Sequence, residues 1–252
     1  MNWLNFKRWG VCLGLLLISF VPAEAAMSFP NINIGMQTVN TPQDFTNGLQ
    51  ILIWLTILTL APSILIMTTS FVRLVVVLSL TRQALGAGTL PPNQVITSLA
   101  LILTFFIMAP TFNEINEKAL QPYMNNQITQ QVALDRGIVP VRNFMFKQTH
   151  EKELALFVRM AKIEKPKNKD DVPTYVLLPS FILSELKTAF TIGFDVYLPF
   201  LVIDIVVSSV LVSMGMMFLP PTMIALPFKL IMFVMVDGWY LVVKSLVESF
   251  VR

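Results

Sequence analysis

The sequence predicts an all-α, membrane-associated protein in which long apolar helices flank one small, charged helical module. Three observations lead there. Hydrophobic residues make up 55% of the 252-residue chain and charged residues only 13%, against roughly 25% charged in soluble domains, and the mean hydropathy is +0.68. Four apolar segments are each long enough to be a membrane helix or a buried one. Charge is concentrated between residues 113 and 172, which hold ten of the 18 Lys and Arg and eight of the 15 Asp and Glu. The formal net charge is +3, with no basic run interleaved with aromatics, so a nucleic-acid partner is not expected.

Residues 1–26 read as a cleavable secretory signal. Lys7 and Arg8 give a positive start, Val11 to Val21 a short apolar core, and Ala23-Glu24-Ala25 the small-residue pattern before a cut after Ala25 or Ala26. The core is short for an uncleaved span, the competing reading. Cys12, the only cysteine, lies inside it, so the mature chain carries no thiol for a disulfide or metal site. His150 is the only histidine, which excludes His-based zinc sites and Ser-His or Cys-His catalytic pairs. There is no phosphate-binding Gly loop and no hydrolase motif. The chain therefore reads as a non-enzyme with no cofactor and no metal.

Residues 27–46 form a polar linker with Pro30 and Pro42. Residues 47–112 form a first apolar helical hairpin. Its first limb lies in an uncharged run from Phe45 to Val72, with Pro62 as a kink. Arg73 then reads as an interfacial anchor, and the apolar pattern resumes to Leu80. Arg82 to Gln94 is a Gly- and Pro-bearing loop, and Val95 to Phe112 is the second limb. Residues 113–175 are the charged, extracytoplasmic module. Glu114 to Arg136 reads as helix, interrupted near Pro122 and stopped by Gly137. Phe144 to Ile163 reads as a second helix, with Leu154, Phe157 and Met160 on one face. Residues 176–252 form a second apolar hairpin, its limbs Thr188 to Val212 and Thr222 to Val247 joined by a Met-rich loop. After signal cleavage, four spans put the Arg82 loop and the Met loop inside, and the module and C-terminus outside.

The loop Ser213-Met214-Gly215-Met216-Met217-Phe218-Leu219-Pro220-Pro221 is the first functional candidate. Methionine is flexible and polarizable, so Met214, Met216 and Met217, with the bulk of Phe218, make a deformable apolar surface. Gly215 and the Pro pair keep that surface out of a regular helix. It reads as a seal, or alternatively as a lipid-facing or core cluster. The second candidates are ionisable groups in or beside apolar segments, where charge is expensive: Glu185, Lys187, Asp204, Lys229 and Asp237. Asp204 lies one turn before Ser208, near the small pair Ser209 and Ser213. Glu185 and Lys187, two residues apart on a helix, do not face each other and each need another partner. Lys229 is a candidate partner for Glu185 or Asp204, within a subunit or between subunits. These acids also leave open a proton-coupled transporter with Asp204 and Glu185 as relay groups.

Several strings in order resemble one family: Leu80-Thr81-Arg82-Gln83-Ala84-Leu85-Gly86, Pro91-Pro92-Asn93-Gln94-Val95, Leu103-Thr104-Phe105-Phe106-Ile107-Met108, Ser184-Glu185-Leu186-Lys187-Thr188-Ala189-Phe190, Pro220-Pro221-Thr222-Met223-Ile224-Ala225-Leu226-Pro227-Phe228-Lys229-Leu230 and Val236-Asp237-Gly238-Trp239. From about residue 46 to the C-terminus the chain resembles the FliP family, core export-gate subunits of flagellar type III secretion. The resemblance implies a pentameric ring of FliP-like copies completed by FliR and FliQ, with other export-apparatus proteins, unfolded flagellar export substrates and membrane lipid as partners. It places the chain in the bacterial inner membrane at the flagellar basal body, with much of it on the periplasmic side. It also implies bent helical hairpins rather than simple spans, and assigns Met214, Met216 and Met217 to the pore constriction.

Overall fold

The computed structural model describes residues 42–251, apart from 89, 165, 167 and 217. The signal, most of the linker and Met217 therefore lie outside the described residues. All regular structure among the described residues is helical, in keeping with the all-α expectation. The chain divides after Leu52, and the residues from Ile53 on form one compact unit.

Helix α1 (Pro42–Met67) does not run on to Val72. Thr68-Thr69-Ser70 interrupts the apolar run, because short hydroxyl side chains compete for backbone carbonyls: Thr69 Oγ1 donates to the Ile66 carbonyl at 2.7 Å. Helix α2 (Phe71–Leu85) then carries Arg73 and Arg82 within it, and ends at Gly86, whose φ of 70° suits a residue without a Cβ. The loop therefore begins at Gly86 rather than Arg82. Arg82 instead ties that loop down, donating to the Pro91 carbonyl and the Asn93 side chain.

Helix α3 (Asn93–Ile115) passes into a π turn (Asn116–Leu120) and the short α4 (Gln121–Met124). Helix α5 (Gln130–Gln148) runs through Gly137 and Pro140. Gly137 is no stop: the helix continues through it beside the π turn, where an added Cβ would make ordinary contact with the Ala119 Cβ at 3.6 Å. The second module helix is shorter than expected. The chain turns extended at Thr149 and His150, and α6 spans Glu151–Met160.

Helix α7 (Thr174–Ser213) is 40 residues long and continuous through Pro179 and Pro199. It starts well before Thr188, so Glu185 and Lys187 lie inside the helix rather than ahead of it. The last apolar segment is broken. Helix α8 (Pro221–Met235) meets α9 (Gly238–Val251) at 63°. The hinge residue Asp237 has φ 51°, and Gly238 follows because a Cβ would fall 2.2 Å from the Phe233 ring.

The core sits around α2. Leu74, Val77 and Leu78 pack with Ile96 and Ala100 of α3, Ala189 of α7, and Val242 and Leu246 of α9. Leu80 packs closely against α7 at Gly193: an added Cβ there would meet Leu80 Cδ1 at 2.3 Å and force the leucine to shift. A second cluster, Met145, Val158, Val172, Val176, Leu177 and Phe181, packs the charged module onto the start of α7. Among the described residues, Asn93–Met124 and Thr174–Ser213 are long and apolar enough to cross a membrane, with the bent α8–α9 pair as a third candidate. The expected third and fourth apolar segments correspond to α7 and to the bent α8–α9 pair, and the second to α3.

Candidate functional site

Two kinds of surface emerge on this frame: an apolar tip loop and three sets of internal ion pairs. Helix α7 ends in a Schellman motif. The Met216 N–H reaches back to the Leu211 carbonyl at 2.9 Å and the Gly215 N–H to the Val212 carbonyl at 3.0 Å, around Gly215 at φ 75°. Pro221 starts α8 at a position where no amide hydrogen is needed. Between these two fixed ends the chain presents Met214, 62% exposed, Met216, 38% exposed, and Phe218, fully exposed. The described loop residues 214–221 carry no charge.

The ionisable residues of the apolar helices behave in the opposite way. Lys229 is buried, its ammonium 2.6 Å from Asp204 Oδ2 and 3.1 Å from the Ala84 carbonyl. Of the two partners open to Lys229, the structure brings it to Asp204, tying α8 to α7 and to the end of α2. Glu185 instead meets Arg73, the residue read as an interfacial anchor. Arg73 is only 2% exposed. Its guanidinium engages both Glu185 carboxylate oxygens in a forked pair, with Arg73 Nε to Glu185 Oε2 at 2.9 Å. The same group donates to Gln148 Oε1 at 2.9 Å, and to the Ser249 hydroxyl and carbonyl at 2.9 and 3.1 Å. The Phe250 ring lies 3.8 Å from the guanidinium carbon. One arginine thus gathers α2, α5, α7 and α9.

Lys187 turns the other way and donates to Glu153 Oε1 of α6 at 2.8 Å. That hydrogen bond holds the Glu153 carboxyl below its ordinary value. The His150 backbone N–H donates to Ser184 Oγ at 3.0 Å, closing the same seam. Asp237 stands apart: it is exposed at the α8–α9 hinge, and its carbonyl accepts the Leu241 N–H at 3.1 Å. Sequence reasoning does not single out Arg73 or Glu153 as members of these pairs. Arg73 ends an uncharged run like any interfacial residue, while its partner lies 112 positions away. The signal available is Glu185 itself, a carboxylate in an apolar helix that requires a cation. No group of His, Cys, Asp and Glu among the described residues could hold a metal ion.

Comparison with known proteins places this arrangement. The model of the FliP family matches residues 54–246. The Flagellar biosynthetic protein FliP of Bacillus subtilis is 52% identical over 86% of this chain and 98% of its own length. The protein of the same name from Pectobacterium carotovorum is 49% identical over 98% of this chain and 94% of its own length. That of Aquifex aeolicus is 51% identical over 82% and 87%, respectively.

Proposed function

The chain belongs to the FliP family, and from that premise we propose that it is a pore-forming core subunit of the flagellar type III protein export gate. It is a membrane component of the flagellar export apparatus that works with the other proteins of that apparatus. In our reading, about five copies form a ring with FliR and FliQ in the inner membrane at the basal body, with the charged module on the periplasmic side. Unfolded flagellar proteins pass along the axis.

The observation that carries this reading is the tip loop. An uncharged set of thioether and aromatic side chains stands in the open, between the Schellman-capped end of α7 and the proline start of α8. Repeated around an axis, Met214, Met216, Met217 and Phe218 would meet as a plug without charge. Thioethers re-pack around a passing chain, and a bulky apolar constriction resists wetting and so blocks ions. The proton-relay alternative finds less support, because Asp204 and Glu185 are each held in an internal ion pair. The protein does no bond chemistry in this reading.

Native mass spectrometry of the chain with and without its FliR-like and FliQ-like partners tests the assembly. A ring of several copies completed by those partners is expected, and a monomer or dimer indifferent to them would overturn the shared pore. For the seal, replacing Met214, Met216 and Met217 together by Ala is expected to leave the complex assembled and make the membrane leak ions. Unchanged ion tightness would sink the seal.

A further inference from the structure

A cavity of about 460 Å³ opens at the junction of the apolar helix α3 with the charged module. Its floor is apolar: Phe106 and Pro110 come from α3, Phe144 from α5 and Phe250 from α9. Phe144 and Phe250 stack with centroids 6.2 Å apart. Its polar lining is of another character. Lys147, in the last turn of α5, and Lys169, in the loop before α7, both face it, with Asn143 and Thr111. Among the described residues neither lysine has an ion-pair partner. The one carboxylate in the lining, Glu114, is already bridged by Lys118 at 3.2 Å.

The position of the cavity along α3 adds a second argument. No charged residue occurs between Arg82 and Glu114, and Asn93–Met124 is long and apolar enough to cross a bilayer. The cavity lies where that uncharged stretch gives way to charge, the level at which a spanning helix leaves hydrocarbon for head groups. We propose that this cavity binds an anionic phospholipid. The phosphate sits between Lys147 and Lys169 with Asn143 and Thr111 as hydrogen-bond donors, and the first part of an acyl chain lies over Phe106, Pro110 and Phe144. Two cations and no free carboxylate select an anionic head group over a zwitterionic one. Such a lipid would be a fixed part of the subunit at the joint between membrane helix and module. This inference does not depend on the tip loop acting as a seal.

The test is native mass spectrometry of the full chain, extracted in mild detergent with its partner proteins, after addition of phosphatidylglycerol or phosphatidylcholine. Retention of phosphatidylglycerol over phosphatidylcholine is expected, by roughly tenfold for two lysines near one phosphate. Lys147→Gln with Lys169→Gln should abolish that preference, while Lys147→Arg with Lys169→Arg should keep it. Lys244→Gln, on a lysine outside the cavity, should change nothing. The melting temperature of each variant separates lost lipid from lost fold. Equal retention of the two lipids by the parent, or full retention of phosphatidylglycerol by the double Gln variant, would overturn the proposal. So would displacement of the lipid by millimolar inorganic phosphate, since the floor would then contribute nothing.

Discussion

The Arg73 end of the molecule and the Met214 end are opposites. Around Arg73, the charges are buried and every guanidinium nitrogen has an acceptor within the same chain. Around Met214, apolar side chains are exposed and the backbone satisfies itself. Ordinary soluble proteins bury the apolar groups and expose the charged ones. The inversion teaches that the buried ionisable residues Arg73, Glu185 and Lys229 secure the subunit's shape, while the tip offers other molecules an uncharged surface.

The contrast is broken most severely at Arg73. Arg73→Ala strands Glu185 in the interior, and removal of one partner of a buried pair costs about 3–5 kcal/mol. The expected outcome is loss of folded protein, read by thermal unfolding in detergent and by the yield of assembled complex. A variant that folds and assembles normally would show the hub to be dispensable. Lys229→Ala is next, at about 2–3 kcal/mol. It is milder because the Asp204 side chain keeps 23% exposure to solvent. Lys229→Met with Asp204→Leu should recover much of the loss if the pair is structural. A loss of export in a stable double variant would instead favour a role for the carboxylate in transport.

Gly193→Ala sharpens the comparison through packing alone. The new methyl would meet Leu80, and overpacking of this kind costs about 1–3 kcal/mol. Leu80→Ala in the same chain should relieve it, as a double-mutant cycle would show. A smaller effect is expected from acid at the Glu153–Lys187 contact. The folded carboxyl titrates below its unfolded value. Its contribution is therefore present in full above the ordinary carboxylate range and is lost as pH falls through the lowered value. Melting temperatures of the parent and of Glu153→Gln should converge on acidification, and a constant gap would rule the contact out as the cause. Least of all should happen to stability when Met214 and Met216 become Ala, because both are exposed. In our reading the whole effect of that change falls on ion tightness.

Periodicity and composition make the apolar segments and the charged module legible from residue types alone. They fail where one long-range contact decides the outcome. Gly137 reads as a stop because glycine is a poor helix former, yet α5 continues through it, packed along the π turn, where tertiary context overrides propensity. Arg73 reads as an anchor because nothing local distinguishes a snorkelling arginine from a buried one. The break at Asp237 is hidden inside an apolar run, since the bend is set by Gly238 fitting against the Phe233 ring. Of the site, the chemistry of the Met loop is plain from its side chains. The pairing of Glu185, Lys187 and Asp204 is not, because each partner comes from a distant part of the chain.

The α8–α9 arm is fastened to α7 at two places. Lys229 grips Asp204, and the last turn of α9 is held through Arg73 to Glu185. On a continuous helix those two carboxylates stand about 28 Å apart. The arm runs back along that interval with a 63° elbow in it, so α7 works as a fixed gauge for its length. One residue inserted or deleted between Lys229 and Ser249 would rotate and shift one fastening out of reach whichever end stayed seated. The stretch should therefore tolerate changes of side chain far better than changes of length.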